Sequence, residues 1–96
     1  MEIKKLECGY NQLKSLNVNN NTALKELSCM GNQLTSLDIT QNPLLEALDC
    51  SYNQLTSLDV TQNSALIQLR CSNNQIASLN ISRNSALKEL DCSDTN

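Results

Sequence analysis

The chain repeats itself every 21 residues, and that constrains its fold more than any other feature. Cysteines stand at Cys8, Cys29, Cys50, Cys71 and Cys92, each 21 residues after the last. Leu6, Leu27, Leu48, Leu69 and Leu90 stand two places before a cysteine. Asn11, Asn32, Asn53 and Asn74 stand three places after one. Further apolar columns run through Leu13, Leu34, Leu55 and Ile76, through Leu16, Leu37, Leu58 and Leu79, and through Val18, Ile39, Val60 and Ile81. A second asparagine column, Asn21, Asn42, Asn63 and Asn84, closes each unit. The register starts at Ile3, runs through four full repeats and enters a partial fifth at Leu87. A fixed period of this size marks a solenoid, in which each unit buries its apolar side against its neighbours.

The composition agrees with a stack of coils and excludes several function classes. There are no histidines, tryptophans or phenylalanines, and only two tyrosines, Tyr10 and Tyr52. Columns of Leu, Ile, Val and Cys pack coil on coil without aromatic bulk. The absence of histidine removes histidine-based acid–base catalysis, a Ser-His or Cys-His pair, and a Cys/His zinc site. A net charge of −3 argues against a nucleic-acid partner or an anionic membrane. No apolar run approaches the roughly 18 residues of a membrane span. Met1-Glu2-Ile3-Lys4-Lys5 has no apolar stretch behind it, so no signal peptide is expected. A complete chain would then be cytoplasmic, and a fragment of a larger bacterial protein would be secreted or at the cell surface.

One unit reads Leu24-x-x-Leu27-x-Cys29-x-x-Asn32-x-Leu34. This resembles the conserved segment of the leucine-rich repeat family, L-x-x-L-x-L-x-x-N-x-L, with cysteine in the third apolar place. The same frame recurs from Ile3, Leu45 and Leu66. The second half of the unit, Leu34-x-x-Leu37-x-Ile39-x-x-Asn42, nests another copy of the frame. The chain is therefore similar to the bacterial nested 21-residue, or IRREKO-type, class. That resemblance implies a single β-rich solenoid over residues 1–96, coiled right-handed, without recognisable terminal caps. It implies a parallel sheet on the concave side and short extended or β segments on the convex side, with little or no helix. The β-branched alternation of Asp38-Ile39-Thr40 favours strand over helix there.

Alternation along a strand sets directions. Leu27 and Cys29 point inward, and Glu26, Ser28 and Met30 outward. The second coil offers Leu24, Leu27, Cys29, Leu34, Leu37 and Ile39 to the interior, with either Leu44 or Leu45. The asparagine column Asn11, Asn32, Asn53 and Asn74 reads as a structural ladder at a corner, since Asn bonds to backbone groups that a turn leaves unpaired. The Gln and Ser columns beside it read as mixed surface and turn positions.

Five evenly spaced cysteines, Cys8, Cys29, Cys50, Cys71 and Cys92, suggest disulfides, metal ligands or core filler. Adjacent coils would set their Cβ atoms about 4.8 Å apart with parallel vectors, beyond the ~3.5–4.5 Å usual for a disulfide. A straight row does not converge on a metal. Reduced thiols in an inward column are the expectation, with five free cysteines and no metal or cofactor.

Columns that differ from repeat to repeat are free to specify a function. On the first strand these are Lys5, Glu26, Ala47, Gln68 and Glu89, then Glu7, Ser28, Asp49, Arg70 and Asp91. After the cysteine come Gly9, Met30, Ser51, Ser72 and Ser93, then Tyr10, Gly31, Tyr52, Asn73 and Asp94. In the leucine-rich repeat family this face is the concave ligand surface. By resemblance, the candidate partner contacts are Glu7, Tyr10, Glu26, Ser28, Met30, Asp49, Tyr52, Gln68, Arg70 and Asp91. The surplus of carboxylates favours a basic patch on a partner. Arg70 stands between Asp49 and Asp91 on neighbouring coils, where the charges could satisfy one another. Tyr10 and Tyr52 are the aromatic anchors, of the type enriched at interface hot spots. On the other side, the row Asn17, Asp38, Asp59 and Asn80 holds too few carboxylates for a calcium site.

The expected function is a non-catalytic scaffold that binds a protein partner. The alternative is a structural array, a fragment or designed consensus that self-associates through uncapped terminal coils. No residue set supports an enzyme.

Overall fold

The computed structural model describes residues 2–93. Asp94, read above as the last member of the turn column, lies outside the described residues. Five three-residue strands form: β1 (Lys5–Glu7), β2 (Glu26–Ser28), β3 (Ala47–Asp49), β4 (Gln68–Arg70) and β5 (Glu89–Asp91). They make one parallel sheet in the order β1-β2-β3-β4-β5. The register steps by one repeat, so Leu6, Leu27, Leu48, Leu69 and Leu90 stand side by side. The described residues contain no helix. The fold is a parallel β-solenoid whose coil is the 21-residue unit.

Coil-to-coil bonding extends past the strands on the sheet side. Tyr10 N donates to Met30 O at 2.8 Å, and Tyr52 N to Ser72 O at 3.0 Å. On the return side the bonding is sparse: Gln33 N to Leu13 O, Gln54 N to Leu34 O and Gln75 N to Leu55 O. Asp38-Ile39-Thr40, expected as strand, joins no strand ladder and passes into a turn at Thr40. Asp38 Oδ1 accepts both the backbone N–H of Thr40 at 2.9 Å and its hydroxyl at 2.6 Å. Asp59 does the same for Thr61. A local side-chain acceptor has taken the donor that a ladder would use. Those bonds, the hydroxyl's first, hold both carboxyls below the ordinary aspartate value.

The core is the set of columns that the period marks. Leu24, Leu34, Ile39, Leu45, Leu55, Val60, Leu66 and Leu69 are fully buried, with Cys29 and Cys50 among them. Leu45 is the inward residue of its pair, while Leu44 is exposed. Each buried leucine contributes on the order of 1.5–3 kcal/mol relative to exposure. Leu6, Leu13 and Leu16 of the first coil are only partly buried, as are Ile76 and Leu79 of the fourth.

The coil turns at two asparagine corners. At the first, Asn53 Nδ2 donates to Cys29 O and Cys50 O at 3.1 Å each, and Leu34 N donates to its Oδ1 at 3.0 Å. Asn32 and Asn74 repeat that circuit. One amide thus ties its own coil to the one before it. The chain here passes through the left-handed region at Tyr10 (φ 56°), Gly31 (72°), Tyr52 (57°) and Asn73 (57°). At the second corner, Asn63 Nδ2 donates to Ile39 O and Asn42 O.

The cysteine column departs from expectation at one end. Cys8, Cys29 and Cys50 are free thiols, but Cys71 and Cys92 are joined by a disulfide. Five free cysteines is therefore corrected to three. The error lay in equating the spacing of parallel strands with Cβ separation. The Cα atoms of the pair are 4.7 Å apart, within the usual Cα range of a disulfide. Cys92 is only partly buried. Burial, followed by the charges of Cys8 and Asp49, pushes the Cys29 thiol up to about 12. Burial raises Cys50 further, so these two behave as small apolar side chains.

Candidate binding surface on the sheet

Parallel pairing in register lines up the outward residues in two rows. Lys5, Glu26, Ala47, Gln68 and Glu89 form one, and Glu7, Ser28, Asp49, Arg70 and Asp91 the other. The candidate contacts Glu7, Glu26, Ser28, Asp49, Gln68, Arg70 and Asp91 therefore share one face. The small residues Ser28 and Ala47 leave a shallow cavity of about 160 Å³ there. Lys5, Glu7 and Glu26 wall it on one side, and Gln68 and Arg70 on the other. Lys5 and Ala47 were not singled out from sequence, although each stands in the same varying column as residues that were.

Met30 stands one step beyond these two rows. It is half-buried, as is Gly9, while Ser51 and Ser72 of the same column are buried. Strand alternation stops at Ser28, because the next residues enter the asparagine corner. Gly9 leaves room for Met30, since a Cβ there would stand 3.3 Å from Met30 Cγ. Met30 thus packs against the neighbouring coil, half-buried as Ser28, Asp49 and Gln68 of the face are.

Tyr10 and Tyr52 stand at the edge of the face, 76% and 56% exposed. Each sits at a left-handed turn position, which is unusual for a bulky side chain. The Tyr10 ring reaches over the next coil, where a Cβ on Gly31 would meet Tyr10 Cδ1 at 2.7 Å. Glycine at that place lets the ring lie against the backbone.

The charges pair only in part. Lys5 Nζ lies 3.9 Å from both Glu7 and Glu26, an exposed geometry contributing about 0–1 kcal/mol. Gln68 Nε2 donates to Glu89 at 2.6 Å. The pairing expected of Arg70 with Asp49 and Asp91 does not form. Asp49 Oδ1 accepts from Ser51 N at 3.1 Å, and Asp91 Oδ1 from Ser93 N and Oγ. Among the described residues, no group of three or more His, Cys, Asp or Glu side chains is placed to hold a metal ion. No described helix is long and apolar enough to cross a membrane.

No family model matches the chain, and no curated protein does. Among solved structures, the chain is similar to the functional domain of InlJ from Listeria monocytogenes, described as including a cysteine ladder. The identity is 32% and the TM-score 0.49, over 96% of this chain and 30% of that one. The chain thus spans under a third of that neighbour's length.

Proposed function

We propose that this chain is a leucine-rich repeat scaffold of the nested 21-residue class, and that it binds a protein partner through the outward residues of its sheet. The reading is supported by one observation above all. An invariant framework of leucines, cysteines and asparagines holds up a face whose outward residues change from coil to coil. Framework columns do the folding, which leaves the changing columns free to specify a ligand. The shallow cavity among Glu26, Ser28, Asp49, Gln68 and Arg70 offers a place for a partner side chain. Tyr10 and Tyr52 supply rigid aromatic surface at its edge. The proposed role is non-catalytic.

Selection of a displayed random peptide library against the folded chain tests this. Recovered binders should lose most of their affinity to the Tyr52→Ala and Glu26→Ala variants. Both changes fall on exposed side chains, so the fold should survive them. Binders indifferent to every sheet-face replacement would sink the reading.

A further inference from the structure

We propose that Arg70 is the face's specificity anchor and that it takes a carboxylate side chain from the protein partner. This rests on the sheet-face reading above. The proposal comes from a pairing that fails to form. In the register Arg70 stands directly beside Asp49 on β3 and Asp91 on β5. Proximity alone would make it the centre of an acid–base–acid row. Yet Arg70 makes no ion pair among the described residues, where Lys5 makes two.

The reason is local. Asp49 sits two residues before Ser51, and Asp91 two before Ser93, at the point where strand gives way to corner. The turn orients those backbone N–H groups back toward the preceding side chain, so each aspartate accepts from its own chain. Asp91 also accepts the Ser93 hydroxyl at 3.3 Å. Both carboxylates are thereby held by their own turns. Position 70 carries the donor without a sequence-local acceptor to occupy it.

The surroundings suit a carboxylate from outside. The guanidinium is exposed and lines the cavity whose floor is opened by Ser28 and Ala47. Arginine presents a planar fork that matches a carboxylate with two parallel hydrogen bonds. Gln68, on the same strand and the same wall, has its amide directed at Glu89 and leaves the fork unobstructed on that side. At the other end of the cavity Glu7 and Glu26, over β1 and β2, are both engaged by Lys5. The Arg70 end discriminates, because among the described residues its guanidinium donors make no ion pair although Asp49 and Asp91 stand on the neighbouring strands.

The test uses peptides selected from the displayed library on the folded chain, then synthesised singly. Peptides that compete at the sheet face should carry an Asp or Glu whose replacement by Ala weakens binding about tenfold to a hundredfold. Arg70→Gln should weaken the parent peptide by the same factor and leave the Ala peptide unchanged. Arg70→Lys should recover only part of the loss, since the paired geometry is gone. Arg70→Glu should shift selection to Lys or Arg at the acidic position. Peptides that need Tyr52 and Glu26 but tolerate Arg70→Gln would overturn the anchor and leave the sheet-face reading standing. A consensus rich in Lys or Arg alone would do the same. Failure to recover any peptide sensitive to the face would reject both. Matching thermal transitions for the Arg70 variants exclude a folding cause.

Discussion

Each coil turns twice on an asparagine, and the two corners solve the same problem differently. At the first, the amide of Asn53 is satisfied on both sides: Nδ2 reaches Cys29 O, Cys50 O and Ser51 O, while Oδ1 accepts from Leu34 N. At the second, Nδ2 of Asn63 reaches Ile39 O and Asn42 O, but its buried Oδ1 has no partner. The same orphan oxygen recurs at Asn42 and Asn84. The first corner passes through left-handed backbone, and the described second corners do not. The first therefore combines a strained turn with a complete hydrogen-bond circuit, and the second an easy turn with an incomplete one. Identical residues in a repeat need not have identical worth.

The largest expected effect is Asn53→Ala. It leaves the buried Leu34 N–H without its acceptor, at about 1–3 kcal/mol, and takes one donor each from Cys29 O, Cys50 O and Ser51 O, which keep another from Asn32, Asn74 and Gly31. The unmet N–H and the weakened carbonyl bonds together should cost about 2–4 kcal/mol, read from urea unfolding. Asn63→Ala should cost about 1–2 kcal/mol by the same assay. It takes one donor from Ile39 O and Asn42 O, each of which keeps a backbone N–H, and it also removes an oxygen that was buried without a partner among the described residues. Equal costs at the two sites would break the comparison, and a larger cost at Asn63 would invert it.

The asparagine columns were legible in the sequence as corners, because a 21-residue spacing of a turn-forming amide between apolar columns has few other meanings. Their difference was not. Both columns read alike, and only the direction each amide takes in three dimensions separates them. The inward columns were legible for the same reason, down to the choice between Leu44 and Leu45, which needed the turn to be seen. The candidate face was legible as far as strict alternation holds. Past Cys29 the strand becomes a corner, and Met30 lies against Gly9 of the neighbouring coil. The pairing of Arg70 failed more instructively. Register proximity was read correctly from the period, but the competing bonds from Ser51 and Ser93 are local turn geometry, which no column comparison reveals. Cys71 and Cys92 were misjudged because an average strand spacing was used where a few tenths of an ångström decide.

A smaller effect sharpens the role of left-handed backbone at the first corner. Gly31→Ala places a Cβ at φ 72° and 2.7 Å from the Tyr10 ring. The conformational cost is about 1 kcal/mol, and the exposed ring can swing aside. In the Tyr10→Ala background the ring's share vanishes and the backbone's share remains. A Gly31→Ala variant as stable as the parent would mean that the corner tolerates left-handed alanine without strain.

The smallest perturbation leaves stability essentially unmoved and reads the two corners separately. Without reductant, the denatured chain should offer three thiols, Cys8, Cys29 and Cys50, and five after reduction; five at the outset would rule out the Cys71–Cys92 bond. In the folded chain Cys8 should alkylate first, being only half-buried. Burial raises all three thiols, Cys29 to about 12, so the reactive thiolate is scarce at neutral pH and labelling should quicken as pH rises toward that value. Cys29 and Cys50 are the residues whose carbonyls the Asn53 amide holds, so their sulfurs report on the first corner. Asn53→Ala should speed their labelling more than its loss of global stability explains, since local opening exposes them without unfolding the stack. Asn63→Ala should speed it only in proportion to global stability. Matched acceleration in both variants would mean that the two corners open together, and that one cooperative unit spans each coil despite their different circuits.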